Sequence, residues 1–72
     1  MTVGEVRSDM VANVWRVVVN RGDTVAAGDP LVILESMKME IPVEAPEAGT
    51  VQEIAVEEGG VVQEGDLIAR IG

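Results

Sequence analysis

Residues 14–34 read VWRVVVNRGDTVAAGDPLVIL, and residues 51–71 read VQEIAVEEGGVVQEGDLIARI. A shift of 37 positions matches apolar residues and turn residues in the two stretches: Val14 with Val51, Val17 with Ile54, Val19 with Val56, Gly22 with Gly59, Val25 with Val62, Gly28 with Gly65, Asp29 with Asp66, Leu31 with Ile68, and Leu34 with Ile71. Two units are too few to stack as a solenoid or a propeller. We therefore expect two similar halves that close on each other about a pseudo-twofold axis, as a flattened barrel or sandwich.

Both halves have the composition of β-strands. Val and Ile dominate short runs that Gly-Asp, Pro and Glu-Gly pairs interrupt, a pattern that favours strands and turns over helices. The predicted fold class is all-β. Strands are predicted over residues 3–7, 14–20, 31–35, 39–43, 51–57 and 67–71, with short extended pieces near Val25 and Val62.

The spacing of apolar residues within each half predicts which side chains face the core. Pairs separated by two residues share one face of a strand, and these predicted core residues are Val17, Val19, Ile54 and Val56. Arg16 and Glu53 are predicted to point outward. A step of three precedes each pair, starting at Val14 and at Val51, which predicts a bulge or bend at the same place in both halves.

Length and composition exclude most enzyme chemistry. A chain of 72 residues is expected to be one domain, residues 1–72, and it buries only about 60% of its unfolded surface, so a deep catalytic cavity is not expected. The sequence has no Cys and no His, which removes disulfides, thiolate nucleophiles and the usual zinc sites. We predict no catalytic residue and no metal site, and therefore a protein that is not itself an enzyme.

The charge of the chain argues against two classes of partner. A formal net charge of −8 and a pI near 4.1 oppose binding to nucleic acid and to anionic membranes, both of which rely on clusters of Lys and Arg. No apolar stretch approaches the roughly 20 residues that span a bilayer, and residues 1–10 include acidic residues where a signal peptide would be basic and then apolar. We expect a cytoplasmic protein with neither nucleic acid nor membrane as partner.

The segment that joins the halves, residues 33–43, reads ILESMKMEIPV. Two apolar strands flank a short centre, which is the pattern of a hairpin, but the centre lacks the Asn-Gly or Asp-Gly of a tight primed turn. Two methionines at a hairpin tip expose flexible apolar surface that suits recognition by another protein. Lys38 between them is the only lysine, and a covalent attachment site benefits from having no competing ε-amine.

Ordinary structural roles remain open for these residues. Lys38 could be a solvated turn lysine, and a general preference for Arg would also leave a single lysine. Met37 and Met39 could fill gaps at the end of the core.

Around Lys38 the chain resembles the biotinyl/lipoyl attachment domains, specifically the biotin carboxyl carrier type. The family motif has Glu and a small residue before Met-Lys-Met, followed by Ala-Pro, two variable residues and Gly; the matching residues are Glu35, Ser36, Met37, Lys38, Met39, Ala45, Pro46 and Gly49. The resemblance extends from about residue 10 to residue 71 and includes the Gly-Asp turns. The chain departs from the family pattern at Asp9 and Ala12, where the family usually has Pro and Gly. The chain also has no room for the protruding insertion that some carriers have between their early strands.

The resemblance implies a flattened barrel-sandwich of two four-stranded sheets, with Lys38 on an exposed hairpin. It further implies that a biotin protein ligase attaches biotin covalently to Lys38. The tethered biotin would then carry a carboxyl group from a biotin carboxylase to a carboxyltransferase. Glu35, Met37 and Met39 are the implied recognition residues.

Three other interpretations compete with the biotin carrier. A lipoyl domain shares the fold, but lipoyl domains have Asp before the lysine and Ala after it. An interaction or regulatory protein with the same barrel would use the acidic surface for docking. An enzyme with Glu35 and Glu40 as a carboxylate pair is the weakest interpretation, because an exposed tip offers no evident pocket.

Overall fold

The structure, a computed structural model, describes residues 4–72 and is built from strands. These are β1 (Gly4–Arg7), β2 (Ala12–Val17), β3 (Thr24–Val25), β4 (Pro30–Ser36), β5 (Met39–Glu44), β6 (Gly49–Ile54), β7 (Val61–Val62) and β8 (Leu67–Ile71). They form two four-stranded antiparallel sheets, which confirms the predicted fold class. Across residues 4–72 there is no helix with the length and apolarity needed to cross a membrane.

The two sheets differ in the segments that they hold. The sheet with the order β5-β4-β2-β7 is the lysine sheet, because Lys38 lies in the turn between β4 and β5. The sheet with the order β1-β8-β6-β3 is the terminal sheet, because it holds the first and last strands.

The two halves interlock as the repeat predicts. The shift of 37 residues maps β2 onto β6 and β3 onto β7 residue by residue, and it maps β1 into β5. The lysine sheet pairs β2 with β7, and the terminal sheet pairs β6 with β3, so each sheet contains strands from both halves. Neither sheet is therefore complete with the strands of one half alone.

Both predicted bulges are present. Pairing between β2 and β4 shifts register between Val14 and Arg16, and pairing between β6 and β8 shifts at the equivalent place, between Val51 and Glu53. The extra residues are Trp15 and Gln52, which have no register partner in the neighbouring strand. Extra residues of this kind bend a strand and increase its twist, which helps two short sheets to wrap around one core.

The centre of the core differs from the predicted one. Its most deeply buried large side chains, all at most 2% exposed, are Leu31, Leu34, Ile68, Ile71, Val14, Val32 and Val51. The four predicted core residues are only partly buried and pack against this cluster from outside: Val17, Val19, Ile54 and Val56. They lie beyond the bulges, where β2 and β6 end, and three of them line an open cleft instead of facing a second sheet.

Strand boundaries follow the turns. The strands predicted over residues 14–20 and 51–57 end early, at Val17 and Ile54. In the first half the chain turns because Asp23 Oδ2 accepts a hydrogen bond of 2.8 Å from the backbone N–H of Asn20. The predicted start of the first strand at Val3 lies outside the described residues.

The turn at Gly28 extends the pairing of β4 with β5 beyond the ends of the two strands. Gly28 has a φ of +91°, a left-handed conformation that a residue with a side chain adopts only under strain. Its N–H donates a 2.8 Å hydrogen bond to the carbonyl of Ala45, and the equivalent Gly65 donates a 2.7 Å bond to the carbonyl of Ser8. Each turn thereby ties the start of a long strand to a segment of the other half.

Candidate functional site at the β4–β5 hairpin

Lys38 lies at the apex of a two-residue hairpin turn. Strands β4 and β5 run antiparallel, and Ser36 pairs with Met39 as the last pair before the turn. Met37 and Lys38 alone connect the strands. The tight loop fixes the lysine backbone at the end of the lysine sheet, while its side chain is exposed.

The two residues of the turn adopt a backbone conformation that is unfavourable for residues with a side chain. Met37 has a φ of +52° and Lys38 a φ of +65°, and they are the only residues other than glycine with positive φ in residues 4–72. Two consecutive positive φ angles are typical of a primed hairpin turn, for which Asn-Gly is the usual sequence. A left-handed conformation costs a residue with a side chain roughly 1–2 kcal/mol. Strain of this kind is concentrated at functional sites, which agrees with a requirement for Met and Lys at these positions.

Replacing Met37 with Asn should stabilise the domain by about 0.5–1 kcal/mol, because Asn tolerates the left-handed conformation that Met37 adopts. The urea midpoint of unfolding should rise accordingly. Met37→Leu, which retains the strain, is the matched control and should unfold with the parent. A midpoint lowered by Met37→Asn would show that the methionine contributes packing that outweighs the strain.

Neither methionine at the tip fills the core. The side chain of Met37 is 91% exposed and that of Met39 is 63% exposed. Lys38 forms no ion pair with any residue of the described range 4–72. The hairpin therefore presents one amine between two apolar side chains, all accessible to another protein.

Glu35 lies one pair below the turn, next to two polar side chains. Its cross-strand partner on β5 is Glu40, and its partner on β2 is Asn13. Two carboxylates directly opposite each other repel. Neither lines the clefts of about 290–500 Å³ found in the described part of the chain. The pair therefore adds negative charge beside Lys38 and is not arranged as an acid–base dyad in a pocket.

The structure brings the four residues predicted from the sequence together at one hairpin: Glu35, Met37, Lys38 and Met39. Asn13 was not predicted, because it adjoins Glu35 only through the pairing of β2 with β4, a contact between residues 22 positions apart. Within residues 4–72 no group of three or more acidic, His or Cys side chains could hold a metal ion. The hairpin can present the Lys38 amine to a partner, and residues 35–40 line none of the clefts described above.

Comparison with known proteins decides the family. The family model described as "Biotin-requiring enzyme", that of the biotin/lipoyl domains, matches residues 1–71. The chain belongs to the biotin/lipoyl family. It is 57% identical over 67 residues to the biotinylated protein TB7.3 homolog of Mycobacterium leprae, covering 93% of this chain and 94% of that protein. It is 45% identical over 62 residues to the biotin/lipoyl attachment protein of Bacillus subtilis, covering 86% of this chain and 85% of that protein.

A solved structure extends the comparison to a large enzyme. All of this chain superposes on 6% of the urea carboxylase of Kluyveromyces lactis, with a TM-score of 0.93 and 36% identity. The match confirms the barrel-sandwich fold of this biotin/lipoyl domain. The resemblance inferred from the Met-Lys-Met motif is therefore confirmed, and within the family the chain is of the biotin carboxyl carrier type.

Proposed function

We propose that Lys38 is the attachment site of a covalent biotin and that this domain is the non-catalytic carboxyl carrier of a biotin-dependent carboxylase. One observation carries the proposal: the only lysine of the chain lies at the apex of a strained, exposed hairpin between two exposed methionines. The family membership supports biotin as the cofactor, since biotinylated proteins are among its relatives.

Attachment requires little of the domain beyond the position of the amine. A biotin protein ligase supplies biotin as an acyl-adenylate, and the ε-nitrogen of Lys38 attacks the acyl carbon. An amide bond forms, the bond to AMP breaks, and the proton of the amine passes to a base. That proton is separate from the one that an ammonium form must lose before attack, which the ligase has to remove because attack needs a free lone pair on the nitrogen. The described residues around Lys38 offer no arranged base, which supports a passive role for the carrier.

The exposed hairpin suits a tethered cofactor that visits separate enzymes. When bound, biotin accepts a carboxyl group at a biotin carboxylase and releases it at a carboxyltransferase. Tethering keeps it at a high effective concentration at both sites. The fixed turn holds the root of the arm, while the exposure of Lys38 leaves the arm itself unobstructed. A cytoplasmic location, where such enzymes would meet the carrier, stays a prediction.

Intact-mass measurement after incubation with a ligase tests the proposal. With a purified biotin protein ligase, ATP and biotin, the chain should gain one biotin, and peptide mapping should place it on Lys38. With a lipoyl ligase and lipoate it should remain unmodified, because the lysine lacks the Asp and Ala neighbours of lipoyl domains. Absence of an adduct, or an adduct on the N-terminal amine, would contradict the proposal, and efficient lipoylation would favour the lipoyl alternative.

A further inference from the structure

The repeat makes positions in the two sheets equivalent, yet the outer faces of the sheets differ. On the terminal sheet, Arg70 forms ion pairs with Glu53 at 2.8 Å and with Glu5 at 3.3 Å, and Arg7 pairs with Glu5 at 3.0 Å. The hydrogen bond from Arg7, together with the positive charges of Arg7 and Arg70, holds the pKa of Glu5 below its usual value. On the lysine sheet, the equivalents of Glu5, Arg70 and Glu53 are Pro42, Ile33 and Arg16.

Exposed apolar side chains also distinguish the lysine sheet from the terminal sheet. Within residues 4–72, every large hydrophobic side chain that is exposed lies in the lysine sheet or in a loop next to its strands: Val11, Trp15, Val18, Met37, Met39 and Val61. At the equivalent positions of the terminal sheet the residues are smaller or polar: Ala48 for Val11, Gln52 for Trp15, Ala55 for Val18, and Thr24 for Val61. Two copies of one fold thus differ in surface chemistry on the sheet that carries Lys38.

Trp15 and Arg16 form the centre of this face. Trp15 is the extra residue of the bulge in β2, and its side chain is 43% exposed. The Arg16 guanidinium lies 5.0 Å from the centroid of the Trp15 ring, so the cation stacks on the aromatic face. Tryptophan and arginine are enriched among the residues that dominate protein–protein binding.

Charge indicates which kind of partner can cover this face. Glu35, Glu40 and Glu44 lie on the strands of the lysine sheet, and the chain carries a net charge of −8. A second copy of the chain would oppose the same carboxylates and the same net charge, which disfavours self-association. A partner with an apolar patch and a basic rim would complement both the exposed apolar side chains and the negative charge of this face.

We propose that the outer face of the lysine sheet, centred on Trp15, is the docking surface for the biotin protein ligase. The inference rests on the proposed attachment of biotin to Lys38. A ligase has to bring its active site to the ε-amine, which reaches out by no more than the lysine side chain itself. It must therefore contact the domain beside the hairpin. Trp15 follows Val14, the partner of Leu34, and so lies roughly 10 Å along the sheet from the turn, within the footprint of a docked protein.

Steady-state kinetics of loading, with a purified biotin protein ligase and the apo carrier as the varied substrate, test this inference. The double variant Trp15→Gln/Val61→Thr gives the lysine sheet the side chains that the terminal sheet has at these positions. We expect its KM to rise at least tenfold, with kcat within twofold of the parent, because docking is weakened and the amine is untouched. The KM of the parent should also rise with salt, as screening weakens attraction to a basic rim.

The matched control is Gln52→Ala/Thr24→Ala, which alters the same positions on the terminal sheet and should leave KM unchanged. Thermal unfolding of each variant identifies loss of fold; if the double variant is unstable, Trp15→Gln alone gives the decisive KM. An unchanged KM in a folded Trp15 variant, or an equal rise in the control, overturns the docking surface while leaving attachment at Lys38 intact. Failure of the parent to accept biotin overturns the proposed function and this inference together.

Discussion

Replacing Lys38 with Arg should abolish biotin loading and leave the domain folded. The guanidinium stays protonated and is a poor nucleophile, so no amide should form. Lys38 is exposed and pairs with no described residue, so the free energy of unfolding should change by less than about 0.5 kcal/mol. Intact mass and avidin blotting measure the loading, and urea unfolding measures the stability.

A second variant tests whether biotin loading depends on the position of the lysine or only on its presence. Lys38→Arg/Arg21→Lys keeps the composition and moves the only lysine to position 21, which is exposed and lies in a turn. We expect no loading at this new position, because the ligase should require the hairpin and its methionines. Biotin on the relocated lysine would show that any exposed amine suffices and that the Met-Lys-Met turn has no role in recognition.

Truncating Ile68 to Ala should destabilise the domain by about 2–5 kcal/mol, because Ile68 is fully buried and its loss leaves a cavity. A chain of this length has a total stability of roughly 4–11 kcal/mol, so the variant should be close to unfolding. Ile54 is only partly buried at the margin of the core, so Ile54→Ala should cost about 1–2 kcal/mol. The urea midpoints of the two variants provide the comparison.

Two further variants serve as controls for the comparison of Ile68→Ala with Ile54→Ala. Ile68→Val removes one methylene and should cost about 0.5–1.5 kcal/mol, which remains measurable if Ile68→Ala does not fold. Arg16→Ala, on the exposed outer face, should leave the free energy of unfolding nearly unchanged. Equal midpoint shifts for Ile68→Ala and Ile54→Ala would mean that the margin of the core contributes as much as its centre.

The approximate positions of the strands could be predicted because their signals are local, whereas the two four-stranded sheets were implied by the family resemblance. The spacing of three before Val17 and Ile54 marks both bulges, and β-branched runs between turn residues mark the strands. Copies related by 37 residues had to form equivalent elements, which gave the two-sheet barrel its symmetry. Lys38 could be singled out for the same reason, since one lysine between two methionines in a hairpin pattern is visible without any tertiary contact.

Burial, by contrast, depends on what covers a strand. Alternation alone placed Val17 and Ile54 in the core, but β2 and β6 end at these residues, and the second sheet covers Val14 and Val51 instead. Val and Ile occur at the margin of the core as well as at its centre, so no local pattern of residue types distinguishes the two.

The fold class, the internal symmetry and the lysine at the hairpin tip could be predicted from the amino-acid sequence, because periodicity and turn residues act over a few positions of the chain. The left-handed backbone of Met37 and Lys38 became visible only in the folded protein, because the closing pair of β4 and β5 imposes it. Only the tertiary structure placed Asn13 beside Glu35 as well, because strand pairing joins residues that are distant in sequence. The contrast between an ion-paired and an apolar outer face has the same origin, since a face exists only after strands from both halves lie side by side.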